Sequence, residues 1–313
     1  MPTSSVTAID AILQQVLDAI PFQLNTDGGV EAARARFREL PRQLILPEVS
    51  AQDRTIDGPA GPIPIRIYTP PPTGTTPPVV MYFHGGGFAV GDLDTHDGTA
   101  RQHAVGADAV VVSVDYRLAP EHPYPAAVED SWAATRWVAA HGDELGADPS
   151  RLAVAGDSAG GNLAAVMAQL ARDEGGPHLD FQLLWYPTLL WDNTLPSFTE
   201  NAEAPILTLS AVEAFSVWYA GDIDPATAPA TLAPGRATSF AGLAPAYISV
   251  AGHDPLRDDG VGYAELLSAA GVSVTLDHAE SLVHGYLSYA GVVPATTAAM
   301  DRGVTALRAA LHS

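Results

Sequence analysis

The chain of 313 residues contains no cysteine. Thiol nucleophiles, thiolate-bound zinc and disulfide bridges are therefore excluded. Lysine is missing as well, since all 15 basic residues are arginines. Without lysine there is no Walker phosphate loop, no Schiff-base or pyridoxal chemistry, and no Ser-x-x-Lys acyl-enzyme machinery. Long apolar runs are lacking too; 181–186 is among the longest, far short of what spans a bilayer. The first seven residues carry neither a basic region nor an apolar core, so no secretory leader is expected and the expected location is cytoplasmic. Positive charge is scarce. The net charge of −21 argues against nucleic acid or an anionic membrane as a partner. What remains for covalent catalysis is mainly a hydroxyl or a carboxylate.

The 47% of apolar residues excludes a disordered or fibrous chain, and the length suits one large α/β domain or one domain with a smaller excursion. One stretch stands out within it. Gly156-Asp157-Ser158-Ala159-Gly160-Gly161 follows the apolar run 152–155 and precedes 162–172, which has helical composition. Strand, tight turn with serine at its tip, then helix is the setting of a G-x-S-x-G nucleophile elbow. Serine at such an apex takes strained backbone angles, and small residues at Gly156 and Gly160 relieve the crowding. The following helix directs its N–H groups and positive dipole end toward the serine. Taken alone, the pentapeptide reads equally as a glycine-rich turn with an incidental serine.

The rest of the chain supplies context. Apolar positions predict helices over 8–20 and 30–40, outside the later β/α alternation and thus either an N-terminal extension or part of a lid. Strands at 50–56 and 63–68 flank the hairpin connection 58–62. From 79 the rhythm is βαβ: strand 79–83, then His84-Gly85-Gly86-Gly87-Phe88, helix 98–105 and strand 110–114. The consecutive glycines let backbone N–H groups approach a ligand closely, and a phosphate cradle is excluded by the missing G-x-G-x-x-G pattern and lysine. A proline-dense loop, 115–125, leads to helix 126–141; Arg117 and Glu121 are expected to hold that loop in place. After strand 181–186, residues 188–235 break the rhythm for longer than a structureless loop normally runs. Their aromatics (Trp191, Phe198, Phe215, Trp218, Tyr219) are expected to divide between lining an apolar pocket and packing their own segment. Strand 246–250, helix 261–270, strand 272–276, loop 278–286 and helix 294–311 complete the chain. If strand 272–276 lies at an edge, it could pair two copies in a homodimer.

Acyl transfer by serine needs a base, a carboxylate that orients the base, and donors for the oxyanion. In α/β-hydrolases the triad runs Ser, Asp/Glu, His, each member following a strand. Ser158, Asp254 and His284 satisfy that order, with the glycine loop after Phe83 upstream. His253 adjoins Asp254 and cannot readily turn back onto it. His96 and His122 sit in loops where hydrogen bonding is the expected role, and neither has a carboxylate cluster at ligand spacing, so no metal is expected. Asp157 is expected to hold the elbow. No organic cofactor is implied.

On the segments His84-Gly85-Gly86-Gly87-Phe88, Asp115-Tyr116-Arg117-Leu118-Ala119-Pro120-Glu121, Gly156–Gly161, Asp254-Pro255-Leu256-Arg257-Asp258 and His284-Gly285-Tyr286, the chain resembles the hormone-sensitive-lipase-like (family IV) esterases. The resemblance covers about residue 45 to the end. It departs at Tyr286, where the family more often has phenylalanine. It implies an α/β-hydrolase fold: a mostly parallel central sheet flanked by helices, with a helical cap. The expected parts are N-terminal cap helices in 1–45, core in 46–187, a cap insertion in 188–235 and core in 236–313. It further implies Ser158 as nucleophile, His284 as general base and acid, and Asp254 as the orienting carboxylate. The oxyanion donors would be the backbone N–H groups of Gly86, Gly87 and Ala159, with Gly85 in the turn. The implied activity is hydrolysis of short- to medium-chain carboxylic esters. Amide hydrolysis or deacetylation by the same triad is the alternative; a non-catalytic ligand receptor is a third reading, disfavoured by the presence of His284.

Overall fold

The computed structural model describes residues 7–40 and 46–313. The expected boundary between the N-terminal helices and the core, at 45/46, touches 41–45, outside the described residues. In chain order the elements are α1 (Ala11–Ala19), α2 (Val30–Glu39), β1 (Ser50–Gly58), β2 (Gly61–Thr69), β3 (Pro78–Phe83), α3 (Asp97–Ala107), β4 (Val110–Val114), α4 (Ala126–Ala140) and α5 (Gly142–Leu145). There follow β5 (Asp148–Asp157), α6 (Ala159–Asp173), β6 (Phe181–Trp185), α7 (Pro196–Glu200), α8 (Leu209–Ala220), β7 (Ala246–His253), α9 (Arg257–Ala269), β8 (Val274–Val283) and α10 (Pro294–Leu311).

The eight strands form one sheet in the order β1-β2-β4-β3-β5-β6-β7-β8. β1–β2 and β2–β4 pair antiparallel, and every other neighbouring pair is parallel. Buried on both faces, the central strands read as unbroken apolar runs, as the wholly buried β3 and β4 do. Alternation then sorts the side chains: Val79, Met81 and Phe83 join the core shared with α4, α6 and α9 on one face, while Val80 and Tyr82 join the core shared with α3 and α10 on the other. The chain passes from β4 over β3 to β5, so the loops after β3 and β5 emerge side by side at the carboxyl edge. Open α/β sheets form their sites at such a switch point.

Two expectations change. Residues 278–286 were expected as a loop, yet 278–283 continue β8, whose ladder with β7 runs through His278 and Ala279 and, past an irregularity, to Val283. β8 closes the sheet at one edge, where one side of a strand meets water; its polar residues therefore imitate loop composition. Helix α9 begins at Arg257, four residues earlier than the apolar spacing suggests, with Asp258 and Asp259 in its first turn.

The N-terminal segment lies across the carboxyl edge and is anchored at several points. The Asp10 carboxylate caps α1 by accepting from Ile12 and Leu13 N–H, each at 3.0 Å. Leu24 N–H donates to the Ile206 carbonyl (2.7 Å). On α2, Arg34 donates to the Ala89 and Ala119 carbonyls (2.9 and 3.0 Å) and to both oxygens of Glu121. Glu121 thus fixes the proline-dense loop, and Arg117 does the same through Asp130 and Glu129.

Candidate active site

β5 ends at Asp157 and α6 starts at Ala159, so Ser158 alone makes the turn, with φ 55° and ψ −118°. For a side-chain-bearing residue that geometry costs about 1–3 kcal/mol and persists only where the surroundings impose it. Here Ser158 N–H donates to the Trp185 carbonyl at 2.8 Å, and the Ser158 carbonyl accepts from Asn162 N–H at 3.1 Å. The backbone after β3 passes so close that a Cβ at Gly160 would overlap the Phe83 carbonyl. Only glycine fits that crossing.

β7 delivers Asp254, and the end of β8 delivers His284. His284 Nε2 lies 3.0 Å from Ser158 Oγ, and Nδ1 lies 2.8 Å from Asp254 Oδ2. Asp254 is fully buried, and its Oδ1 accepts from Leu256 N–H at 2.8 Å. With Nδ1–H donated to the carboxylate, Nε2 is left to accept from the serine hydroxyl. Tyr186 meets the His284 ring edge-on, centroids 4.9 Å apart. Tyr286 packs at right angles to Trp185 and sends its hydroxyl to Ser249 Oγ at 2.8 Å. Its departure from phenylalanine therefore leaves no unpaired hydroxyl, and burial pushes its pKa far up.

The glycine loop sits against the elbow. Gly85 N–H donates to Asp157 Oδ1 (3.0 Å), so this amide is occupied in the turn. Gly86 has φ 118°, and a Cβ there would overlap the Val90 carbonyl. Among the described residues the Gly86 and Gly87 amides donate to no backbone or side-chain acceptor. Ala159, the first residue of α6, has no intrahelical partner for its own N–H. Asp157 Oδ1 also accepts from the Tyr82 hydroxyl at 2.7 Å. Burial works against ionising Asp157, but His96 and the Tyr82 hydroxyl outweigh it and keep the carboxyl below its ordinary value.

Of the other histidines, His253 donates from Nε2 to the Thr7 carbonyl (2.8 Å) and turns away from Asp254. His96 lies beside Asp157, and His122 stays in the proline-dense loop. A cavity opens over Ser158, Ala159, Gly87 and His284, walled by Leu24, Phe88, Trp191, Leu207, Phe215 and Leu256. Of the aromatics expected in 188–235, Trp191 and Phe215 reach this cavity. Phe198 and Tyr219 are buried instead, with Tyr219 stacked on Phe88. Leu24 and Leu207 escape sequence reasoning, because a leucine in a loop carries no motif, and Leu256 stands in the Asp254–Asp258 segment, whose pattern does not mark it as a wall residue.

The sheet order, the elbow and the Ser158–His284–Asp254 alignment are those of one fold, and a family model described as alpha/beta hydrolase fold matches residues 80–288. The chain is an α/β-hydrolase of the hormone-sensitive-lipase-like family. Within this family it is 67% identical over 307 residues to the esterase LipI of Mycobacterium tuberculosis, covering 97% of this chain and 96% of that one. It is 58% identical over 319 residues to carboxylesterase NlhH of the same species, covering 100% and 99%. Among solved structures it superposes on a bacterial heroin esterase with TM-score 0.91 at 34% identity, covering 98% and 99%. This family member is a serine carboxylic ester hydrolase.

Proposed function

We propose that this esterase works through Ser158, His284 and Asp254 by way of a serine acyl-enzyme. The observation that carries the reading is His284 spanning Ser158 Oγ and Asp254 Oδ2 at 3.0 and 2.8 Å. His284 Nε2 takes the Ser158 proton as Oγ attacks the ester carbonyl, and Asp254 holds the ring and stabilises the imidazolium. The oxyanion is received by the Gly86, Gly87 and Ala159 amides at the N-terminus of α6. His284 returns the proton to the departing alcohol. Water then enters and attacks the acyl carbon as the same nitrogen takes its proton; that proton passes to Ser158 Oγ as the acyl–Oγ bond breaks and the acid is released.

The expected substrates are short- to medium-chain esters, and the apolar walls over Ser158 support that reading. The N-terminal segment and residues 188–235 serve as the cap, since Leu24, Trp191, Leu207 and Phe215 come from them. Among the described residues no helix is long and apolar enough to cross a membrane. We place the enzyme in the cytoplasm. A homodimer paired along β8 belongs to the same proposal, with the open edge of that strand as its support.

The test is Ser158→Ala on p-nitrophenyl acetate and butyrate. Loss of about 10⁶-fold in kcat is expected, and near-wild-type turnover would overturn the assignment. Matched ester and anilide substrates separate esterase from amidase, with the ester expected to be the faster. Sedimentation analysis decides the homodimer.

A further inference from the structure

Behind the glycine loop lies a buried polar cluster that the reaction scheme above does not use: His84, His96, Tyr82, Tyr116 and Asp157. We infer that His96 is a positioning residue for the oxyanion hole, acting through the carboxylate of Asp157. The inference rests on the proposed triad and oxyanion donors. His96 is 8% exposed, and its Nε2 stands 3.6 Å from Asp157 Oδ2, within ion-pair range. Its other nitrogen is fixed by Thr95 Oγ1 at 3.0 Å. That hydroxyl lies within reach of both Nδ1 and the Asp92 carbonyl (2.9 Å), and its proton, given to Nδ1, leaves the Nε2–H of the neutral ring facing Asp157 Oδ2. The ring therefore has one orientation, with Nε2 aimed at the carboxylate.

Asp157 transmits this to the oxyanion loop. Its Oδ1 holds Gly85 N–H at 3.0 Å and the Tyr82 hydroxyl at 2.7 Å, while Oδ2 lies so close to Gly85 that a Cβ there would overlap it. Gly85 precedes the two amides proposed to face the oxyanion, and Asp157 precedes the serine. One carboxylate thus sets the distance between nucleophile and donors, and His96 sets the carboxylate. Donor geometry matters most when charge has developed on the substrate oxygen, so slackening this contact should act on kcat and spare substrate binding. Phe37 and His84 lie against the His96 ring at centroid distances of 6.1 and 5.3 Å, which gives a phenylalanine at position 96 ready-made packing.

The experiment measures kcat and KM on p-nitrophenyl butyrate, and the inhibition constant of a trifluoromethyl ketone, whose serine adduct places an oxyanion in the hole. Expected for His96→Phe is a loss of about tenfold in kcat, a fraction of the 10²–10³ that outright loss of a donor costs. Ketone affinity should fall by a similar factor, with KM within twofold. His96→Gln, which retains a donor, should recover part of both. Unchanged kcat and ketone affinity in His96→Phe would overturn the inference, and so would a rise in KM with ketone affinity intact. If His96→Phe does not fold, Asp157→Asn decides by the same two readouts. Ser158→Ala separates the failures: turnover surviving in that variant removes the underlying reading, whereas a dead Ser158→Ala beside an unaffected His96→Phe removes this inference alone.

Discussion

Ser158 and Asp254 stand directly after strands of a continuous sheet and Gly86 three residues after β3, while Leu24, Trp191 and Phe215 reach the same cavity from segments outside it. The floor inherits its geometry from the ladders of β3, β5 and β7, where each added bond fixes the next. The wall above is attached at separate points. Asn162 Nδ2 donates to the Thr188 and Leu232 carbonyls (2.8 and 2.9 Å), tying both ends of 188–235 to α6. Asp259 accepts from Leu189 and Leu190 N–H, and Gln169 donates to the Pro234 carbonyl. Chemistry that tolerates little displacement sits on the part that cannot move piecemeal. On the proposed reading, selection among substrates falls to the wall, where a single side chain can change without disturbing a ladder.

Substitutions should sort along the same line. Asp254→Asn, on the floor, should lower kcat by about 10⁴ through the wrong imidazole tautomer, with KM little changed; stopped-flow turnover of p-nitrophenyl butyrate measures it. A loss under tenfold would mean that the carboxylate is not the orienting group. Phe215→Ala, in the wall, should alter selectivity more than rate. Removing that ring from the cavity should change the butyrate-to-acetate ratio of kcat/KM by about tenfold, within the 1–3 kcal/mol an apolar contact supplies, while acetate kcat stays within about threefold. Asn162→Ala tests the attachment points. It leaves the buried Leu232 carbonyl and the part-buried Thr188 carbonyl without their donor and should cost about 1–3 kcal/mol of stability, read as a lower urea midpoint. A variant that loses no stability would show that the Asp259 and Gln169 contacts and apolar packing hold the insertion without Asn162.

The smallest expected effect concerns acid. His103 is buried, its Nδ1 lies 2.8 Å from the Thr99 carbonyl, and its Nε2 accepts the Trp185 indole N–H at 3.0 Å. Both nitrogens are used by the neutral ring, and burial lowers its pKa from 6.5 to about 4. A histidine depressed in the folded state stabilises fully above its unfolded pKa of 6.5, and that contribution is lost as pH falls toward about 4. The unfolding midpoint of the wild type should therefore drop between pH 6.5 and 4. His103→Gln, less stable at neutral pH, should show a shallower drop, and equal slopes would contradict the assignment.

The floor was legible from residue order. Glycine at 156 and 160 around Ser158, the glycines after Phe83, and Asp254 and His284 following later strands all carry local stereochemical demands that leave a mark in sequence. Most elements were legible for a related reason, since apolar periodicity reflects which faces are buried; α10 and β4 match their expected spans. Edge strand β8 was misjudged over 278–283 because exposure on one side gives a strand the polarity of a loop. Nothing local marks Leu24 as a wall residue or pairs His96 with Asp157, because those relations join segments far apart in the chain.

By itself, the sequence determined which chemistry was possible and which residues could perform it. Missing cysteine and lysine, one serine at a strained turn, and the order of acid and histidine are covalent facts that folding does not alter. Only the tertiary structure decided the 3.0 Å between His284 and Ser158, the cavity above them, and the buried contact behind the glycine loop. Those depend on how eight strands twist and which loops emerge together at one edge. Such distances are fixed by packing the whole sheet at once, and no local pattern encodes them.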